Sequence, residues 1–396
     1  MIFHYLKIAF RNLCKHKTQN IISIIGLAVG LLCFCVCIYC SRFVESTDHC
    51  FANHDRIAEL NLYDGKADRY FSGSPVPLAE ELRTWALGET EAISSVTYPR
   101  ERPYYVELSP EKTLPYELET IEIDTCYNKI FTPEMVAGHW KMASQSLNSV
   151  ILSQSMAIKI FGNAESAIGK HMTLMRRLNT SPESTPKTGG IVYIIQAVMK
   201  DIPLNNSLDF MQNIDMLTVN DSEGLLQSPK RHNMTGANTY VLLSPQTTCT
   251  DLEKQFSKRD YTYTLYDEAY TVTASNMGSR LKKQGASYLE LVTGTVGTLI
   301  LLVGLINFFH FLIGSFFNRT KEYSIMKMIG CNWKQLFCLL FTQSLIVISI
   351  SSILVLSGIE LLGNHMNFSL PGFAMTFTSE TLLIHALQYI VLLIIL

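Results

Sequence analysis

Charged side chains are scarce in this sequence. They make up 17% of its 396 residues, whereas ordinary soluble domains carry about 25%. Residues 18–41 and 291–318 contain no Asp, Glu, Lys or Arg, and beyond Lys334 only Glu360 and Glu380 are charged. This uneven distribution excludes a single soluble globule. The net charge of −2 also gives no indication of a nucleic-acid surface.

Motifs of the common hydrolases are also missing. The sequence has no H-E-x-x-H zinc pair and no G-x-S-x-G nucleophile turn. Residues 162–170 approach a phosphate-binding loop, but six residues separate the glycines instead of four, and His171 replaces the required Ser or Thr. His49, Cys50 and His54 could ligate a metal, although a solvated loop explains them better. The sequence therefore predicts a protein that is not an enzyme and holds no cofactor or metal.

Ten cysteines are present, and two groups of them need an explanation. Cys33, Cys37 and Cys40 recur at helical spacing within an apolar run, which favours packing of small buried side chains over a metal or redox site. The soluble stretch has three more, at positions 50, 126 and 249. Because their number is odd, at most one disulfide can form there, and disulfides do not define this region.

Four apolar runs approach the length of membrane-spanning helices. A bilayer core of about 30 Å needs about 20 apolar residues in a helix. The predicted transmembrane helices are residues 20–41, 286–317, 335–360 and 381–396. The last is shorter, roughly 24 Å at about 1.5 Å per residue. We interpret it as a truncated span, with a hydrophobic tail in the membrane interface as the alternative.

Basic residues predict the orientation of these helices. Residues 1–19 contain Lys and Arg but no acid. Apart from Glu322, every charged residue of 318–334 is Lys or Arg. Both segments should therefore be cytoplasmic. The loop 361–380 has no Lys or Arg and should lie outside, as should residues 42–285.

Residues 42–285 have the pattern of a mixed α/β domain. Apolar alternation predicts strands at 56–63, 104–108, 118–124 and 191–199. Helical spacing predicts helices at 77–85, 153–161 and 251–259, and Gly162 should end the second of these. The predicted fold class is an α+β membrane protein with four transmembrane helices, one before and three after a large mixed α/β extracytoplasmic domain.

Polar side chains also occur inside the second span. Asn307 and His310 are three residues apart and share a helical face. Ionisable groups at membrane depth are functional candidates, but hydrogen bonding between helices explains the pair more simply. Gly294, Gly297 and Gly304 predict the close approach of another helix.

The most informative segment is residues 319–333, between the second and third spans. Ile325, Met328 and Ile329 form an apolar stripe at helical spacing, and Gly330 predicts the end of a helix. A loop that was merely basic would not need this spacing. We therefore predict a short amphipathic cytoplasmic helix.

Spacing within this segment resembles the signature of FtsX/MacB-type ABC transporter permeases. Arg319, Glu322, Lys327 and Gly330 match that signature in order and spacing. Outside the cytoplasm, residues 148–170 and 193–207 resemble two elements of the MacB-like periplasmic core domain. The resemblance therefore extends over most of the chain.

The resemblance implies a permease subunit that has no ATPase of its own. A separate cytoplasmic ABC ATPase would bind ATP and would grip the short helix, which is the family's coupling helix. The implied coupling residues are Arg319, Glu322, Ile325, Met326, Lys327, Met328, Ile329 and Gly330. The external domain would have two lobes, one inserted into the other at about 125–200.

Further partners and a location are also implied. Two ATPase subunits need two permease units, so the chain would pair with itself or with a sister permease. It would lie in the lipid bilayer of the bacterial cytoplasmic (inner) membrane as a multi-pass protein with a cytoplasmic N-terminus. The implied work is export, efflux or extraction of a substrate by mechanotransmission. Efflux would add a periplasmic adaptor or an outer-membrane channel as partners.

Two alternatives stay open at this stage. One is an FtsX-like regulator that transmits ATPase force to an external cell-wall hydrolase. The other is a ligand-sensing membrane receptor, which would need a cytoplasmic output domain. The sequence departs from the family at Gln343, where many members have an acid, and at its end inside the fourth span. We therefore expect a fragment or the first half of a duplicated permease.

The predicted topology can be tested by labelling. A cysteine that replaces Thr185, in a background without other reactive thiols, should react with an impermeant maleimide added to intact spheroplasts. The reason is that residue 185 lies in the stretch predicted to face outside. Protection of this cysteine until the membrane is opened would overturn the orientation.

Overall fold

A computed structural model of the chain describes most of its residues. The described residues are 7–8, 11, 15, 17–71, 73–109, 112–145, 148–174, 191–208, 213–219, 235–265, 268–279, 287–365, 367–370, 373–376, 383 and 386–387. The chain divides into two compact units. One unit consists of Met1–Ser46 with Gly285–Leu396, and the other, here called the external unit after its predicted location, is Thr47–Gln284.

Helices and strands are numbered along the chain. The helices are α1 (Lys17–Glu45), α2 (Pro77–Arg83), α3 (Tyr127–Phe131), α4 (Trp140–Gln145), α5 (Gln154–Phe161), α6 (Cys249–Lys258), α7 (Ser287–Phe317), α8 (Thr320–Met328) and α9 (Trp333–His365). The strands are β1 (Ile57–Asp64), β2 (Arg69–Tyr70), β3 (Ser74–Pro75), β4 (Thr90–Thr97), β5 (Arg100–Ser109), β6 (Lys112–Ile123), β7 (Met135–Gly138), β8 (Ser149–Ser153), β9 (His171–Leu174), β10 (Val192–Met199), β11 (Met216–Val219), β12 (Thr235–Leu243), β13 (Thr262–Leu265), β14 (Glu268–Asn276), β15 (Asn367–Leu370) and β16 (Phe373–Thr376).

Three helices in the described part of the chain are long and apolar enough to cross a membrane. They contain the stretches Asn20–Glu45, Glu290–Phe317 and Trp333–Leu361, which belong to α1, α7 and α9. These helices coincide with the first three predicted spans. Most of the predicted fourth span, 381–396, lies outside the described residues. Within the predicted external loop 361–380, β15 and β16 form an antiparallel hairpin.

Small residues bring α1 and α7 together along an antiparallel seam. A Cβ on Gly30 would lie 3.4 Å from the Cα of Gly304, and a Cβ on Gly297 would lie 2.7 Å from the Cβ of Cys37. A Cβ on Gly26 would collide with the amide of Asn307. The glycines of α7 therefore serve the close helix approach that the sequence predicted, because any larger side chain would push the backbones apart.

The third apolar helix, α9, packs on α1. The Ser351 hydroxyl donates to the Ile24 carbonyl at 3.1 Å, and a Cβ on Gly358 would lie 3.1 Å from Leu32. Leu31 and Cys35 of α1 join Val355 of α9 in one buried apolar cluster. This position of Cys35 agrees with packing as the role of the cysteines in α1.

A sheet of strands forms the framework of the external unit. One part is open and has the strand order β4-β12-β1-β14-β13. The other part closes on itself in the order β11-β8-β10-β9-β5-β6, because β11 pairs with β8 on one side and, in parallel, with β6 on the other. The two parts join where Val96 of β4 pairs with Ile123 of β6.

The closed ring is an excursion from the open sheet. Strands β4 and β12 are antiparallel neighbours, yet all six ring strands lie between them in sequence. One part of the external unit is thus inserted into the other. The ring begins at Arg100, ahead of the predicted lobe bounds of 125–200, which stay a prediction.

Residues 148–170 and 193–207 of the external unit are joined by hydrogen bonds at the ring. Ser153 caps α5 by accepting a hydrogen bond from the Met156 amide, and Gly162 ends α5 with a φ of 87°. The backbone N–H of Ser155 donates to the Asp201 carboxylate at 3.0 Å. The N–H of Gly169 donates to the Ile195 carbonyl at 2.8 Å. This amide is therefore already bound, which agrees with the rejection of a phosphate loop at 162–170.

Three distant parts of the external unit meet at Asp48. Its carboxylate accepts hydrogen bonds from the Ser207 amide at 2.6 Å and from the Ser207 hydroxyl at 2.5 Å. Its own amide donates to the Asn205 carbonyl at 2.9 Å. Gly278 lies so close that a Cβ there would be 2.7 Å from the carboxylate. Asp48, near the start of the unit, is therefore bonded to its middle and lies close to Gly278.

The cysteines of the external unit are free thiols. Cys50, Cys126 and Cys249 form no disulfide in the described chain. Burial raises the pKa of the Cys126 and Cys249 thiols, which makes their reactive thiolate forms less populated at neutral pH.

The close crossing of α1 and α7 predicts different effects for two glycine substitutions. Gly297→Ala should lower the Tm of the full chain in detergent, because its new Cβ would overlap Cys37 and overpacking typically costs about 1–3 kcal/mol. Gly294→Ala is the matched control on the same helix, since the nearest atom to its new Cβ is the Ser41 hydroxyl at 4.0 Å. Equal Tm values for the two variants would contradict the crossing.

Candidate functional site

The short helix α8 lies between two membrane-spanning helices. It begins after Arg319, two residues beyond the end of α7, and has nine residues. Gly330 has a φ of 100°, a conformation that glycine adopts without the strain of a side chain. The Gly330 amide donates to the Lys327 carbonyl, and the Cys331 amide donates to the Met326 carbonyl. These two bonds form a Schellman motif, which ends the helix where the sequence predicted.

An apolar stripe on α8 and its C-terminal end is exposed on the surface of the single chain. Ile325, Met328 and Ile329 are 52%, 80% and 81% exposed. Trp333 and Phe337, at the start of α9, are also exposed. Side chains of this size are usually buried, so a group of them on one short segment indicates a contact surface.

The two charged residues predicted as coupling contacts already have neighbours within the chain. Glu322 forms an ion pair with Lys15 at 3.0 Å, and both side chains are largely exposed. The ammonium group of Lys327 lies 4.3 Å from the centre of the Trp333 ring. The ion pair links α8 to Lys15 of the N-terminal segment. The contact of Lys327 with Trp333 links α8 to the start of α9.

A groove of about 630 Å³ borders the inner side of α8. It is lined by Ile8, Arg11, Lys15, Glu322, Tyr323, Ile325, Met326 and Leu339. Met326, which was predicted as a coupling residue, is half-buried here. Tyr323 is buried, and its ring centre lies 5.7 Å from that of Phe316. Burial raises the pKa of the Tyr323 phenol, so the ring stays neutral as it packs.

Arg319 differs from the other predicted coupling residues, because its side chain is only 3% exposed. The guanidinium donates to the Gln343 amide oxygen of α9 at 3.1 Å. The Gln343 amide nitrogen donates in turn to the Ser315 hydroxyl of α7 at 3.0 Å. Arg319 therefore contacts the interior of the helical unit and not the exposed apolar stripe.

Sequence reasoning noted Gln343 as a departure from the family but gave it no role. The structure buries it to 3% exposure between Arg319 and Ser315. Two signals pointed to this arrangement. Gln343 is an amide inside a long apolar run, and Ser315 precedes Arg319 by one helical turn. Neither signal identifies a partner without the packing of α7 against α9.

The polar pair inside α7 divides between two environments. Asn307 is half-buried and faces Gly26 of α1, in agreement with a role at a helix interface. His310 is exposed within the single chain.

The sequence candidates for a metal site do not come together. The described residues contain no group of three His, Cys, Asp or Glu side chains placed to hold a metal ion. The ring centres of His49 and His54 lie 4.5 Å apart with the rings tilted by 41°, and His54 lies 3.2 Å from the Asp55 carboxylate.

The helices that hold this site carry a recognisable family pattern. Residues 294–396 match the FtsX-like permease C-terminal family. This region includes most of α7 and all of α8 and α9, so the family resemblance predicted from residues 319–333 is confirmed there. Over these residues the chain is similar to the FtsX-like permeases. Among curated proteins, no sequence relative of the chain is found.

Solved structures provide three further likenesses. A domain of a putative permease from Porphyromonas gingivalis matches with a TM-score of 0.43 and 19% identity, over 57% of this chain and 93% of that one. The periplasmic region of MacB from Actinobacillus actinomycetemcomitans gives 0.38 and 13%, over 61% and 96%. The extracellular domain of the noncanonic ABC-type transporter YknZ from Gram-positive bacteria gives 0.34 and 12%, over 56% and 100%.

Proposed function

We propose that this chain is the permease subunit of an ABC transporter. A separate cytoplasmic ATPase subunit hydrolyses ATP, and the permease converts its movement into movement of the extracytoplasmic domain. The work is export, efflux or extraction of a substrate by mechanotransmission. The observation that carries the proposal is the exposed apolar stripe of α8, within a region that matches the FtsX-like permease family.

The stripe has the chemistry of a helix that docks in a groove. Ile325, Met328 and Ile329 follow the spacing by which amphipathic helices place apolar anchors in a partner. Burial of such side chains stabilises a complex by roughly 25 cal/mol per Å² of apolar surface. The residues at 80% and 81% exposure have the most surface to bury. We therefore assign Met328 and Ile329 as the main anchors for the ATPase.

Charged residues of the segment orient the contact rather than provide its area. Glu322 and Lys327 are held by Lys15 and by the Trp333 ring. A fixed charge at the rim of an interface steers association and register more than it adds affinity. This division of roles makes the apolar anchors the sharper target for mutation.

The remaining parts of the proposal concern the surroundings of the chain. Its basic N-terminal and α8 segments face the cytoplasm of a bacterial cell, and the external unit faces away from it. Two ATPase subunits need two permease units, so a second permease chain, identical or a sister, completes the transporter. ATP binds to the ATPase, and this chain supplies no cofactor site.

Charge placed on the stripe should abolish ATPase binding. We expect Met328→Glu to reduce the ABC ATPase that co-purifies with the tagged full-length chain by about tenfold or more, because burying an unpaired carboxylate costs several kcal/mol and 1.4 kcal/mol is tenfold. Quantitative immunoblotting or mass spectrometry of the purified complex measures the change.

Two controls separate docking from general damage. Met328→Leu keeps an apolar side chain at the same position and should retain the ATPase. Ile158→Glu places the same carboxylate on an exposed apolar side chain of the external unit and should also retain it. Retention of the ATPase by Met328→Glu at the level of the unmodified chain would rule out α8 as the docking helix.

A further inference from the structure

A chain of polar groups crosses the helical unit next to α8. It runs from the Ser315 hydroxyl of α7 through the Gln343 amide of α9 to the Arg319 guanidinium. All three residues are buried, at 9%, 3% and 3% exposure. These hydrogen bonds thus connect the end of the second span, the start of α8 and the body of the third span.

The position of each residue gives this connection its geometry. Arg319 is the residue from which α8 starts, and its carbonyl accepts a hydrogen bond from the Tyr323 amide in the first turn at 2.9 Å. Gln343 lies well inside α9, roughly 15 Å along the axis from Trp333 at about 1.5 Å per residue. The guanidinium therefore contacts α9 in the body of the helix, well beyond the turn that joins α8 to α9.

The positive charge of Arg319 makes its hydrogen bond to Gln343 costly to break. A guanidinium is a cation that offers five N–H donors in one plane. A buried guanidinium that loses its partners keeps its charge without compensation, which is strongly unfavourable. The Gln343 amide accepts from Arg319 through its oxygen and donates to Ser315 through its nitrogen at the same time. Glutamine at this position therefore links both neighbours.

We propose that Arg319 is a positioning residue that makes α8 and α9 move together, and not a contact of the ATPase. In this arrangement, a displacement of α8 is passed sideways to the third span through Gln343, in addition to its covalent link to α7. The inference rests on the proposed function, since it concerns how force enters the spans. The proposal gives docking to the exposed apolar stripe of α8 and gives transmission of movement to the buried Arg319 and Gln343.

The separation predicts a split between binding and turnover. Arg319→Met keeps an apolar stem and removes every donor, and Gln343→Leu removes the partner. The full-length chain would be reconstituted in lipid nanodiscs and titrated with the ABC ATPase that co-purifies with the unmodified chain. Each variant should bind the ATPase within about twofold of the unmodified chain. The permease-dependent rise in ATP turnover at saturation should fall by about tenfold.

Two further variants distinguish transmission from simple loss of structure. The double variant should be no worse than Arg319→Met alone, because Arg319→Met already removes the contact with Gln343. Gln343→Glu should keep the turnover response, since a carboxylate still accepts from Arg319. The Tm of each variant in the nanodisc identifies any that is unfolded, and Arg319→Lys, which keeps the charge and a donor, then replaces Arg319→Met with a smaller loss of turnover expected.

Each result decides one question. Weaker binding by Arg319→Met with normal turnover once bound would make Arg319 a docking contact and overturn the inference. Independent, multiplying losses in the double variant would also overturn it. Failure of the unmodified chain to retain any ABC ATPase would sink the proposed function, and this inference with it. Normal binding with a lost, non-additive turnover response supports both.

Discussion

Hydrocarbon offers no hydrogen-bonding partner, and this constraint governs how the apolar helices of the protein arrange their polar groups. Hydroxyls on α7 and α9 bond back to their own helix, as Thr298 does to the Gly294 carbonyl at 2.8 Å and Ser349 to the Leu345 carbonyl at 2.7 Å. Polar groups that cannot do so turn toward a neighbouring helix. Ser351 bonds to the backbone of α1, and the Arg319 guanidinium turns inward to Gln343. The interior contacts between helices follow from this requirement.

Near α8, the usual placement of charged side chains outside and apolar side chains inside is reversed within a few residues. Arg319 is buried, whereas Met328 and Ile329 are among the most exposed large side chains of the chain. A charged residue inside and apolar residues outside is the opposite of what a simple cytoplasmic loop would show. The inversion is consistent with a segment that is anchored to the spans on one side and meets another protein on the other.

Much of the architecture was predictable from local patterns. The strands at 56–63 and 191–199 and the helices at 77–85, 153–161 and 251–259 appear as β1, β10, α2, α5 and α6 within a few residues. Period and capping residues are local signals, and Gly162 and Gly330 both adopt the positive φ expected of a helix end. The closed ring was not predictable, because the pairing of β11 with β6 joins strands that are distant in sequence.

Local sequence patterns were enough to locate the three long apolar helices of the described part of the chain, the short helix α8 and the apolar stripe along it. These properties depend on composition and on spacing along one helix. The packing of the helices was needed to show that Arg319 is buried while its sequence neighbours are exposed, and that Gln343 accepts a hydrogen bond from it. The reason is physical: which face of a short helix is buried depends on the helices that pack against it, and here Ser315 of α7 and Gln343 of α9 provide the polar contacts.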